Sequence, residues 1–198
     1  FCKERNLHFK NLELLDLAFH HRSYSNENIS HKHYNNERLE FLGDSVLGVT
    51  VADFLYRHFP DMPEGRMTRL RAELVCEQSL HRVALELHLG DYLRLGKGEE
   101  HNGGRKRASI LSDAVEAVIA AMYLDAGMET AAGFIHRCLL DDVRAIETPT
   151  FTDYKTSLQE LVQRHSGQVL SYELVGEEGR DHAKTFRVQV CLNGDPIG

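Results

Sequence analysis

The sequence predicts an all-helical domain over residues 1–147, a linker at 148–152 and a small α+β domain over 153–198. Three observations carry this. Apolar residues recur at three- and four-residue spacing from Leu12 to Val143, with no alternating strand pattern among them. Ile146-Glu-Thr-Pro-Thr-Phe-Thr-Asp153 then breaks the period with a proline and three threonines. Beyond it, one amphipathic helix precedes two alternating segments.

Taken in order, Leu12, Leu15 and Phe19, with Leu14, Leu17 and Ala18 beside them, predict a short helix that ends at His20-His21-Arg22-Ser23. Its histidines read as helix-end or surface residues, because no cysteine or second histidine pair stands nearby at metal spacing. The polar run Ser23–Asn36 reads as a loop. It delivers the chain to a long helix that runs on through Phe59 until Pro60 and Pro63 stop it. Met67–Leu74 and Ser79–Leu87 keep helical spacing. Leu95–Arg107 holds four glycines and both charge signs and reads as a solvated hinge, since the Gly-Lys-Ser/Thr of a phosphate loop is absent. Ile110–Leu124 and Thr130–Val143 are helical again. In the tail, Asp153 opens a helix over Tyr154–His165, Gly167 stops it, and Val169–Val175 and Lys184–Leu192 alternate as strands.

The chemistry concentrates in the long helix. At about 100° per residue, with Glu37 set to zero, Glu40 falls near −60° and Asp44 near −20°, so the three acids share one narrow stripe. Leu39, Leu42 and Val46 point the other way, while Phe41 and Leu47 flank the acids. Crowded, partly desolvated carboxylates require protonation or a cation. A second helix offers Asp113 and Glu116, three apart on one face, with Ala117 and Ala120 beside them. Small residues there, and Gly43 and Gly48 on the first helix, predict close approach of the two. Glu40, Asp44, Asp113 and Glu116 would then pool into an all-oxygen cluster suited to Mg²⁺ or Mn²⁺.

Asn35-Asn-Glu-Arg-Leu-Glu-Phe-Leu-Gly-Asp-Ser45, followed by Gly96-Lys-Gly-Glu-Glu-His-Asn-Gly-Gly-Arg-Lys-Arg-Ala-Ser-Ile-Leu-Ser-Asp-Ala-Val-Glu-Ala117, resembles bacterial ribonuclease III nearly end to end. Ser112 stands where that family usually has Ala, and Ala120 where Gly is common. The resemblance implies that Glu40, Asp44, Asp113 and Glu116 bind the catalytic Mg²⁺, with Asp44 and Glu116 the catalytic pair. Glu37 and Glu64 become accessory acids, although a first-turn acid favouring its helix N-terminus explains Glu64 equally well. It also implies a homodimer in which Phe41 inserts into the partner subunit. A core position is the alternative for Phe41, which lies about 40° from Glu37 on the wheel, beside the acids.

Lys155-Thr-Ser-Leu-Gln-Glu-Leu161 and Asp181-His-Ala-Lys-Thr-Phe-Arg-Val188 resemble the double-stranded-RNA-binding domain, an α-β-β-β-α unit. By that resemblance Thr156, Gln159 and Glu160 touch one minor groove and Asp181 and His182 the next, while Arg105, Lys106 and Arg107 are candidates for phosphates. The closing helix of such domains has no counterpart before Gly198, which predicts an incomplete domain, and the absence of an initiator Met predicts a fragment.

The function implied is Mg²⁺-dependent hydrolysis of double-stranded RNA to 5′-phosphate and 3′-hydroxyl ends, in processing of ribosomal and other structured RNA. The alternative is a non-cleaving double-stranded-RNA-binding regulator. The sequence argues against a di-iron bundle, because no Glu is followed by His three residues on. Composition fits a globular chain, with 42% hydrophobic and 27% charged residues. No run approaches the length of a membrane span and no secretion signal opens the chain, so a cytoplasmic protein is expected. Cys2, Cys76, Cys138 and Cys191 are widely spaced, as reduced thiols would be. A net charge of −7 argues against a polyanionic partner only until local sign is considered, since part of the acid belongs to the metal stripe.

Overall fold

The computed structural model describes residues 2, 8–27, 34–144, 158–159, 161–162, 165, 167–178 and 185–197. The chain divides into two compact units, Phe1–Glu147 and Thr148–Gly198. The first contains α1 (Leu12–Ala18), α2 (Arg22–Glu27), α3 (Glu37–His58), α4 (Glu64–Leu74), α5 (Glu77–Glu86), α6 (Lys97–His101), α7 (Ala108–Ala126), α8 (Met128–Ile135) and α9 (Asp141–Arg144). A single π turn, His136–Leu140, joins α8 to α9. Among the described residues no helix is long and apolar enough to cross a membrane.

Helix α7 is the axis of this unit. Eleven of its nineteen residues are buried, so it is apolar nearly all round, and α1, α3, α5 and α8 all pack on it. The closest approach is to α3. A Cβ built on Gly43 would lie 1.9 Å from the carbonyl oxygen of Glu116, so only glycine lets the two backbones meet there. Ala117 and Ala120 are fully buried in the same seam. Gly48, expected to serve the same purpose, faces open space. Helical position 48 has turned off the seam, and its glycine has no packing duty.

Two loop expectations are corrected. The run after His21 contains α2, because its polar side chains are satisfied by distant backbone: Ser25 Oγ donates to the carbonyl of Tyr34, Gly96 N–H donates to Ser23 Oγ (2.9 Å) and Lys97 N–H to Glu27 (3.0 Å). His20 keeps its helix-end position but is buried, its Nδ1–H donating to Asp16 O at 2.6 Å with the rings of Tyr24 and Tyr34 edge-on to it. The glycine-rich stretch before α7 is also structured, holding α6 and a 3₁₀ turn at Gly104–Lys106. Arg105 pins it, donating to the carbonyls of Gly90 (2.7 Å) and Leu93 (2.8 Å) and to both oxygens of Glu100.

In the second unit, β1 (Leu170–Glu178), β2 (Thr185–Leu192) and β3 (Asp195–Pro196) form an antiparallel sheet in that order. A register shift falls between Leu174 and Gly176. Asn193 and Gly194 both take positive φ, at 53° and 93°, making an Asn-Gly hairpin turn whose twist matches the strands. Within the expected helix over 154–165 the described residues are 158–159 and 161–162, which are helical, and 165, which is a bend; Val162 is buried. Leu174 and Val188, paired across the strands, are exposed, as is Phe186.

The two glycines of α3 should behave oppositely. Gly43→Ala forces backbone apart and should cost more than about 3 kcal/mol in urea unfolding. Gly48→Ala meets nothing and should stabilise by about 0.5–1 kcal/mol through helix propensity.

Candidate metal centre

The seam that Gly43 closes brings the acids of α3 and α7 together. Glu40, Asp113 and Glu116 each offer a carboxylate oxygen, and these atoms all lie within 4.8 Å of one another. All three side chains are partly buried. Among the described residues no Lys or Arg stands within ion-pair distance of them. At Glu116 burial and acid repulsion therefore act unopposed, while the charge of Arg22 offsets part of them at Glu40 and Asp113. Glu116 responds most: desolvation first, then the charges of Asp44, Asp113 and Glu40, push its carboxyl up from 4.5 to about 8. Burial, followed by the charge of Asp113, raises Glu40, and burial, followed by the charge of Glu77, raises Asp113.

Asp44, one turn on from Glu40, is more exposed and stands outside the converging triple. Its charge is nonetheless the largest single repulsion on Glu116. Glu37 is exposed at the start of α3 and accepts from Asn35 Nδ2 (3.2 Å) and Arg22 Nη1 (3.5 Å). Glu64 opens α4 and accepts from Thr68 Oγ1 at 2.7 Å, a contact within its own helix. Phe41 stands beside the acids and is 78% exposed, so it is not a core residue.

A donor set of carboxylate oxygens alone suits a hard divalent ion. The raised carboxyl values point the same way, since a cation is the charge this seam lacks. Which acids would hold it follows from the triple and its neighbour Asp44.

The basic candidates separate. Arg105 is committed to the loop beneath it, and Arg107 Nη1 lies 2.7 Å from Glu99, whereas Lys106 is exposed. Gln159 is exposed on its helical segment, and Thr156, Glu160, Asp181 and His182 lie outside the described residues. Two charged residues at the site escaped the sequence reading. Arg22 and Glu77 influence Asp113 from α2 and α5, and Arg22 also influences Glu40. Neither belongs to the helical wheels of α3 or α7, so no periodicity in the sequence connects them to the acids.

Comparison with known proteins gives two family models in series. A ribonuclease-III-like model matches residues 11–143 and a double-stranded RNA binding motif matches residues 154–198. Ribonuclease 3 of Treponema denticola is 49% identical over 199 aligned positions, spanning 100% of this chain and 80% of that protein. Ribonuclease 3 of Listeria monocytogenes is 47% identical over 190, spanning 96% and 83%. Among solved structures, the nuclease domain of ribonuclease III from Campylobacter jejuni superposes with a TM-score of 0.65 at 42% identity, covering 71% of this chain and 94% of that one. Dicer from Pichia stipitis shares the fold at 23% identity and a TM-score of 0.54, covering 96% and 85%. Near-half identity sustained along the whole chain is more than a shared helical fold requires: the chain belongs to the ribonuclease III family, endonucleases of double-stranded RNA.

Proposed function

We propose that Glu40, Asp44, Asp113 and Glu116 hold Mg²⁺, with Mn²⁺ able to substitute, and that Asp44 and Glu116 are the catalytic pair. The observation that carries this is the convergence of Glu40, Asp113 and Glu116 on one point from two helices. When bound, a hard divalent cation supplies charge stabilisation at phosphorus and lowers the pKa of water. The chain's own part is to keep four oxygen donors in register and to manage a proton. Near neutral pH the carboxyl of Glu116 carries that proton in the free site, and loading the site displaces it. Water then adds to phosphorus, the bond to the 3′ oxygen breaks, and that oxygen gains a proton. The products are a 5′-phosphate and a 3′-hydroxyl.

The RNA-binding motif supplies the duplex, and Thr156, Gln159, Glu160, Asp181, His182 and the exposed Lys106 are its proposed contacts. Glu37 and Glu64 serve as accessory acids. The natural substrates proposed are structured RNAs of the cytoplasm, ribosomal precursors among them. A regulator that binds without cutting has no use for three half-buried acids converging beside a fourth, Asp44.

We propose further that the exposed Phe41, with Val49 and Tyr56 on the same side of α3, meets a second copy of the chain. The Campylobacter nuclease domain is described as having a region involved in dimer formation. Phe41→Asp should convert a dimer to a monomer in sedimentation, with thermal stability of the protomer kept. A monomeric wild type at micromolar concentration would refute the interface.

Glu116→Gln keeps shape and one acceptor oxygen but cannot present a negative charge to a bound cation. It should retain duplex affinity within about threefold while losing at least about a hundredfold in cleavage, with partial rescue by raised Mg²⁺ or by Mn²⁺. Parallel loss of RNA binding in a filter assay would assign Glu116 a structural role instead.

The same side chain sets a pH dependence. Its folded value lies above 4.5, so the protonated form favours the metal-free fold; that contribution is whole below about 4.5 and is lost as pH rises through about 8. The melting temperature of the metal-free chain should therefore decline over that window, and Glu116→Gln should flatten the decline. Added Mg²⁺ should stabilise more at the alkaline end than at the acid end, because fewer protons compete.

A further inference from the structure

We propose that Arg22 is a phosphate-binding residue of the cutting site, its guanidinium held at the edge of the acid seam to receive a non-bridging oxygen of the strand being cut. The inference rests on the metal-site reading above and adds to it a residue from outside both acid helices.

The backbone around Arg22 is fixed from both sides. His21 N–H donates to Arg94 O at 3.1 Å, and Asn36 N–H donates to His20 O at 2.9 Å. Immediately after it, Ser23 Oγ receives Gly96 N–H at 2.9 Å and stands 2.8 Å from His21 Nδ1. At the far end of α2, Glu27 receives Lys97 N–H at 3.0 Å. An anchored backbone thus carries a side chain that is 67% exposed.

That side chain is held loosely. Its ion pair is with Glu37 at 3.5 Å through Nη1, longer than the roughly 2.7–2.9 Å of a strong charge-assisted bond. Glu37 is itself steadied by Asn35, which receives its N–H (3.3 Å) and donates to its Oε2 (3.2 Å). The series Asn35–Glu37–Arg22 therefore tethers a guanidinium while leaving most of its five N–H donors open among the described residues. Glu37 lies three residues before Glu40 on the same stripe of α3, so the contact with Glu37 places the guanidinium at that end of the acids. Arg22 offsets the negative charge felt at both Glu40 on α3 and Asp113 on α7.

Three other guanidiniums of this unit are engaged by its own acids and carbonyls. Arg94 pairs with Asp16 (3.3 Å), Arg107 with Glu99 (2.7 Å), and Arg105 holds Glu100 and two carbonyls. A planar fork with free donors beside a hydrolytic acid cluster matches the geometry of a phosphate, whose charge grows as water adds to it. Glu37 then acts as a positioning residue for Arg22, which gives this accessory acid a role that needs no metal.

The test uses the full chain, a generic RNA duplex and Mg²⁺. Arg22→Gln should slow single-turnover cleavage by about tenfold to a hundredfold. Duplex affinity, measured by adding Arg22→Gln to Glu116→Gln, should change by less than about threefold, since one phosphate contact among many is a small part of binding. Arg22→Lys should recover part of the rate, supplying charge without the fork. Half-saturating Mg²⁺ should fall in Arg22→Gln, because a competing cation has left the acids, and a purely structural residue would not move it in that direction. Arg22→Gln cleaving within about twofold of wild type, or an affinity loss as large as the rate loss, would overturn the inference. Glu116→Gln run in parallel separates the two levels: if it still cuts, the metal-site reading fails, and if it is inactive while Arg22→Gln is normal, only the role of Arg22 fails.

Discussion

Mutual repulsion among carboxylates is the constraint on which this fold turns. Glu40, Asp113 and Glu116 crowd into a half-buried seam without an ion-paired base among the described residues, and burial first, then neighbouring acid charge, raises the carboxyl of each. Such a cluster would push its two helices apart if each were only loosely docked. The opposing force is the apolar environment of α7, whose buried face extends well past the acids on both sides. Hydrophobic burial along a helix of nineteen residues thus holds together a short stretch that electrostatics alone would open. The placement of Asp113 and Glu116 on a helix as buried as α7 follows from that balance.

Much of this was legible in the sequence, and for a definite reason. Positions 37, 40 and 44, and again 113 and 116, are related by the helical repeat alone, so their shared face follows from spacing. Gly43 and the alanines of α7 likewise advertise close packing, because a small residue among large apolar ones has few other uses. The limit was reached wherever a residue's partner lies far along the chain. Gly48 carries the same local signature as Gly43 yet meets nothing, since the step between them, at about 100° per residue, leaves it about 140° round the helix from the seam. Ser23 and Ser25 looked like loop residues until the carbonyl of Tyr34 and the amide of Gly96 were found beside them. Arg22 is of the same kind, its partner Glu37 lying on the next helix. Phe41 stood open between core and surface on the wheel, and only the packing of its neighbours resolved it.

Charge tells a similar story at larger scale. A chain with a net charge of −7 acts on a polyanion, and the paradox eases when the basic residues are followed individually. Arg94, Arg105 and Arg107 are engaged by acids or carbonyls of the same unit, where they organise loops. Cations of that kind contribute little to attraction at a distance. Counting them toward a nucleic-acid surface would have overstated it, just as counting the seam acids against one overstates the repulsion.

The collision at Gly43 is with main chain, and this has a genetic meaning. A side chain that bumps another side chain can be accommodated by trimming the neighbour, so such lesions are often cured by a change elsewhere in the gene. A carbonyl oxygen cannot be trimmed. Because the atom 1.9 Å from a would-be Cβ is the peptide oxygen of Glu116, no replacement of that glutamate or of any residue around it removes the obstacle. In a selection for restored function, defects at codon 43 would yield true revertants to glycine, while defects at packed side chains of the same interface would yield second-site suppressors.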